Sequence, residues 1–174
     1  SDVIAISDYG KGFCTPNIVK NIIEIANRNG VPVVIDPKGY DWEKYRNSYL
    51  ITPNVKEISD VLGREVENND EDIQKAGIEI MKRFNIKKLI ITRSEKGMTF
   101  FDGLKEIYHI PTEAKEVFDV SGAGDTVVAV VSLGIANKIP LVDTVMIANK
   151  AAGVVVGKIG TVPITLSELE NAFY

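Results

Sequence analysis

Phe118-Asp119-Val120-Ser121-Gly122-Ala123-Gly124-Asp125-Thr126 is a glycine-rich turn that runs directly into an apolar helical stretch, with a carboxylate where that helix begins. Glycine lets a ligand approach the backbone closely, and the first N–H groups of a helix lack partners within it. Gly122, Ala123 and Gly124 can therefore offer successive donors to an anion. Asp125, in the same first turn, is placed to take a proton from a hydroxyl that attacks a phosphate held by those amides. A plainer use of the same residues is a helix-capping carboxylate and a turn that only reverses the chain.

Upstream of this turn, strand-like and helix-like segments alternate. Val3 to Ser7 reads as a strand. Thr15-Pro16 is an N-cap with proline at the first helical position, and Ile18, Ile22 and Ile25 follow at helical spacing before Gly30. Val31 to Ile35 is a second strand, Asp41 to Arg46 a short helix, Tyr49 to Thr52 a third strand, and Pro53 opens a helix that Gly63 ends. Asp70 to Phe84 is an amphipathic helix, and strands follow at Lys88 to Thr92, Met98 to Phe101 and Glu106 to Ile110. Downstream lie helices over Gly124 to Ala136 and Leu141 to Val156, and a last one from Thr165, whose Thr165-x-x-Glu168 spacing is a capping box. Repeated strand, helix, strand implies right-handed crossovers and a mostly parallel sheet covered by helices, an α/β fold.

Composition narrows the function. The 174 residues carry a formal charge of −4, with no basic excess to suggest nucleic acid, so anionic ligands must be held by local features. A single cysteine, Cys14, excludes an internal disulfide framework and fits a small buried side chain better than a nucleophile. No stretch approaches the ~18 continuous apolar residues of a membrane span, and the amino end has no signal-peptide pattern, which reads as cytoplasmic.

In a parallel sheet, ligands collect at the carboxyl ends of the strands. Four polar clusters fall there: Ser7 to Gly12, Asp36-Pro37-Lys38-Gly39, Thr52-Pro53-Asn54 with Glu57, and Thr92-Arg93-Ser94-Glu95-Lys96-Gly97. Asn54 and Glu57, three apart at a helix start, share a face and could order the water shell of a Mg²⁺ that bridges nucleotide phosphates. Their ordinary alternative is an exposed first turn with favourable negative charge. Lys38 and Arg93 end strands where a phosphate could be neutralised, and also read as solvated charges. Lys11 and Lys96 are weaker candidates. His109 has no ligand-like neighbours in sequence and reads as structural, and Trp42 reads as helix packing.

Asn54-Val55-Lys56-Glu57 and Asp119-Val120-Ser121-Gly122-Ala123-Gly124-Asp125, in this order and spacing, resemble the ribokinase-like (PfkB) carbohydrate kinase family. Within it, Ser7 to Gly12, Asp36 to Gly39, Thr92 to Thr99 and Ala148 to Lys158 resemble the heptose-7-phosphate kinase domain of ADP-heptose synthesis. The resemblance implies a three-layer α/β/α sandwich and transfer of the γ-phosphate of ATP to a sugar-phosphate hydroxyl. Asp125 matches the catalytic base, and Gly122, Ala123 and Gly124 the anion hole that stabilises charge on the moving phosphoryl group. Asn54 and Glu57 match the pair that organises Mg²⁺ and phosphates, Glu57 acting through water. Thr92 and Gly97 match the ends of a nucleotide-phosphate motif that is Thr-x-Gly-x-x-Gly in many relatives, with Ser94 in place of the first glycine. Asn149, Ala152 and Gly153 match positions bordering adenine, and Asp119, Ser121 and Gly160 lie near a loop that holds a monovalent cation such as K⁺ in some members.

The family's amino-terminal sugar site and β lid have no counterpart here. Residues 1–174 therefore read as the carboxyl-terminal, nucleotide-binding and catalytic portion of one ribokinase-like domain, with ATP or ADP and a sugar phosphate as ligands and neither nucleic acid nor membrane as partner. The uncovered sheet edge should pair with a second copy, giving a homodimer, or with the missing segment. Two rivals remain: another sugar or nucleoside kinase of the family, and a catalytically silent nucleotide-binding or assembly module. Turnover distinguishes the latter.

Overall fold

The computed structural model describes residues 1–113 and 118–174. Six strands form one sheet whose spatial order follows the chain: β1 (Ile4–Ser7), β2 (Val33–Asp36), β3 (Leu50–Ile51), β4 (Lys88–Thr92), β5 (Met98–Phe101) and β6 (Ile107–Ile110). β1 to β4 pair in parallel, whereas β5 and β6 run antiparallel to their neighbours. The change of direction has a simple cause. Only Arg93 to Gly97 join β4 to β5, and a parallel return needs a crossover of about a dozen residues or more.

Strand residues alternate between two apolar cores. Ile35, Ile51, Leu89, Ile91 and Phe101 face one, and Val34, Leu50, Ile90 and Phe100 face the other. Burial on both faces explains why these strands are continuous apolar runs rather than alternating ones. The first core lies under α1 (Pro16–Arg28), α2 (Val55–Leu62), α3 (Asp70–Phe84) and the 3₁₀ turn Trp42–Tyr45, in which Trp42 packs on Tyr45 and Phe84. The second lies under α4 (Ala123–Ala136) and α5 (Leu141–Val156). The result is the expected three-layer sandwich, with α6 (Leu166–Asn171) packed on α5.

Local signals account for the helix ends. Thr15 Oγ1 accepts the Ile18 N–H, Gly63 takes a left-handed φ of 66° after α2, and Thr165 with Glu168 forms the expected capping box at α6. Several element ends differ from expectation by one or two residues; β2 runs Val33–Asp36 rather than from Val31 to Ile35, and α2 begins at Val55, not at Pro53. The Pro53 carbonyl instead accepts the Thr92 N–H, extending the β3–β4 pairing past the strand end.

Candidate active site

The loops after β2, β3 and β4 and the amino-terminal turn of α4 surround a cleft of about 1090 Å³. Lys38, Glu57, Ser94, Gly97, Gly124 and Asn149 all line it, drawing five segments distant in sequence to one place. Asn54 and Glu57 form a reciprocal capping box at the start of α2. Glu57 N–H donates to Asn54 Oδ1 at 2.9 Å, and Asn54 N–H donates to Glu57 Oε2 at 3.0 Å. Lys38 Nζ donates to the other Glu57 oxygen at 3.0 Å, and that bond raises the lysine's pKa. Asp36, at the end of β2 between these groups, has its carboxyl pushed up to about 7 by burial, then by the nearby charges of Glu57 and Asp125. Two carboxylates, Asp36 and Glu57, thus line this end of the cleft, and among the described residues no three His, Cys, Asp or Glu side chains are grouped to hold a metal ion directly.

The glycine turn stands at the mouth of the cleft. Gly122 adopts φ 82°, outside the range ordinary residues prefer, and precedes the first turn of α4. Gly124 lines the cleft, so its part of the helix start faces the space where an anion would lie. Asp125 follows Gly124 without itself lining the cleft, and Tyr9 Oη donates to its Oδ1 at 2.9 Å and to its Oδ2 at 3.1 Å. Asp125 is the acidic residue of the first turn of α4, where its charge also complements the helix amino terminus.

The pattern of pfkB family carbohydrate kinases matches residues 2–167. The chain belongs to the pfkB family of carbohydrate kinases. It is 47% identical over 171 residues to the bifunctional protein HldE of Actinobacillus pleuropneumoniae serotype 5b and of Haemophilus influenzae strain PittEE. HldE of Pasteurella multocida is 44% identical. In each case the match covers 98% of this chain and 35% of the relative, so the chain spans about a third of the length of these curated relatives. Among solved structures, Escherichia coli phosphofructokinase-2 in complex with potassium superposes with a TM-score of 0.85 at 21% identity, covering 98% of this chain and 56% of that one. Arabidopsis thaliana ribokinase with ribose and ATP gives 0.84 at 20% identity, covering 99% and 55%. These likenesses establish the ribokinase-like fold.

Within this pfkB fold most of the sequence-nominated residues converge. Thr92, Ser94, Gly97, Ala123, Ala152 and Gly153 all line the cleft with those already named. Asn149 is buried, and its Nδ2 donates to the Pro111 carbonyl at 2.8 Å, which ties α5 to the segment after β6. Ser94 takes a left-handed φ of 53°, the reason a glycine is natural at that place. Asp119 and Ser121 lie together with Gly160. The Asp119 carboxyl is held below its usual range by the Ser121 N–H, which donates at 2.8 Å, then by the Ser121 hydroxyl and the Gly160 N–H.

Arg93 is the correction. It is only 2% exposed and does not line the cleft. Its guanidinium donates to Asn68 Oδ1 at 2.9 Å, Asp70 Oδ1 at 2.6 Å and Thr99 Oγ1 at 3.0 Å, clamping the start of α3 to the β4–β5 hairpin. His109 joins the same structural network through Thr99. Sequence shows a charge at a strand end but not which way it points. Conversely, Asp36 and Tyr9 stood in noted polar clusters without being singled out, although a carboxylate at the last position of a buried parallel strand is itself a signal for such a site.

Proposed function

We propose that this chain is the nucleotide-binding and catalytic portion of a heptose-7-phosphate kinase. The placement of Asp125 carries the reading: a carboxylate in the first turn of α4, one residue past cleft-lining Gly124 and near cleft-lining Asp36, beside helix N–H groups able to hold the transferred phosphoryl group. In the reaction, the acceptor hydroxyl oxygen forms a bond to the γ-phosphorus and the bond from that phosphorus to the β–γ bridging oxygen breaks, releasing ADP. The acceptor's proton passes to the Asp125 carboxylate. The Gly122 to Gly124 amides face the charge on the equatorial oxygens, Lys38 and the Ser94 to Gly97 loop border the remaining phosphates, and Asn149, Ala152 and Gly153 border the base.

The donor set of Asp36, Asn54 and Glu57 suits a hard cation that keeps most of its waters, so these residues would hold Mg²⁺. When bound, Mg²⁺ supplies neutralisation of the nucleotide phosphates. A monovalent cation, the potassium of the phosphofructokinase-2 complex being the precedent, belongs to the turn at Asp119, Ser121 and Gly160. The unpaired outer edge of β1 is the place for pairing with further strands or a second copy.

The heptose assignment rests on the motif resemblance and on the similarity to HldE. A coupled ADP-release assay on a full-length kinase containing this segment tests it, with heptose 7-phosphate, fructose 6-phosphate and ribose compared. Heptose 7-phosphate should give the highest kcat/KM by at least about tenfold, the span of roughly 1.4 kcal/mol of differential transition-state binding. Equal or better turnover of another sugar would replace this reading with a different kinase of the family.

A further inference from the structure

Tyr9 is 62% exposed, yet its hydroxyl is bonded to a residue more than a hundred positions away in the chain. Its Oη spans both oxygens of Asp125, at 2.9 and 3.1 Å. The segment that carries it is anchored from behind. Asp8, 4% exposed, accepts from Lys44 Nζ at 2.5 Å, from Tyr45 Oη at 2.6 Å and from the Gly10 N–H at 2.8 Å. Burial opposes ionisation of Asp8, but those bonds outweigh it and hold the carboxyl below its usual range. Gly10 and Gly12 both take positive φ, which lets the chain turn immediately after Tyr9. Tyr45 Oη also receives the Lys38 N–H at 3.0 Å, so one buried hub fixes the loops after β1 and β2 together.

From this geometry we propose that Tyr9 is a positioning residue for Asp125: its phenol, bridging both carboxylate oxygens, fixes the direction in which the carboxylate points. The proposal rests on the reading of Asp125 as the base. An ionised carboxylate has about four lone-pair sites, so the bridging phenol leaves room for the acceptor's proton. Ser7 Oγ at the end of β1 also stands 3.5 Å from Asp125 Oδ1, and the Asp125 charge reaches Asp36 at the end of β2. The bond to Asp125 raises the pKa of Tyr9 itself.

Tyr9→Phe removes the hydroxyl and keeps the exposed ring, so the fold should persist with an unchanged urea midpoint. In a full-length kinase containing the segment, kcat should fall about tenfold with KM for MgATP within about twofold, and the same substitution should cost nothing further when position 125 is already Asn. A purely structural role would lower kcat by the same factor in both backgrounds. Asp125→Asn is run alongside: if it leaves turnover intact, Asp125 is not the base and the proposed mechanism fails first. If Asp125→Asn lowers kcat at least about a hundredfold while Tyr9→Phe leaves kcat near that of the parent, or lowers it equally in both backgrounds, the Tyr9 proposal alone is overturned.

Discussion

At the scale of single residues the site divides into groups that do chemistry and groups that set backbone shape. Asp125→Asn keeps the shape and removes the basic carboxylate. In a full-length enzyme kcat should drop by at least about a hundredfold while MgATP affinity changes by less than about tenfold, because general-base catalysis contributes roughly 10²–10⁴-fold and the proposed nucleotide contacts are made by other residues. Steady-state kinetics with separate nucleotide titration checks this; a near-normal kcat would leave Asp125 without a catalytic task. Ser94 is a backbone case. It holds φ 53° at an exposed turn, so Ser94→Gly should raise stability by about 1 kcal/mol in urea unfolding, relief of left-handed strain exceeding the added unfolded-chain entropy. The turn at Gly122 and the helix start that carries Asp125 were legible in the sequence, because glycines ahead of an apolar helical run mark a turn into it. Arg93 was not, because direction depends on Asn68, Asp70 and Thr99, which only the folded hairpin brings to it.

Whole elements were more legible than their ends. The apolar period of Asp70 to Phe84 and the strands Lys88 to Thr92 and Met98 to Phe101 coincide with α3, β4 and β5, since burial on a defined face leaves a direct periodic trace. The antiparallel turn of β5 and β6 leaves no such trace within the strands, only in the short connection before them. Packing between elements was least visible. Gly77 in α3 has no turn to make; its missing side chain admits the buried Phe101 ring, whose Cζ would lie 2.2 Å from an added Cβ. Helix propensity favours Gly77→Ala by about 1 kcal/mol, but overpacking costs about 1–3 kcal/mol, and with the ring enclosed the clash should win. The expected result is a lower urea midpoint with an unchanged m-value; a rise would mean the ring swings aside freely.

For the molecule as a whole, the parallel order of β1 to β4 brings Asp36, Glu57 and Asp125 to one end of the sheet, and that concentration of negative charge has a consequence for stability. Burial, reinforced by Glu57 and Asp125, raises the Asp36 carboxyl in the folded state from the ordinary 3.8 to about 7. Below about pH 4 both folded and unfolded forms hold the proton. Between about pH 4 and 7 the folded form retains it while the unfolded form has released it, so stability falls as pH rises through that window. Above it both forms are ionised and the whole cost is present. Other carboxylates slope the opposite way, Asp8 among them, because their folded pKa values are depressed. The informative quantity is therefore the difference between Asp36→Asn and the parent chain. Asn cannot ionise, so the variant should gain relative stability from pH 4 to 8 by about 2 kcal/mol, after solvent screening at the cleft mouth is allowed for. Urea unfolding at stepped pH measures it. A pH-independent difference would mean that Asp36 ionises in the fold as readily as in the open chain, and the charge crowding that suits this cleft to a cation would have to be relieved by solvent.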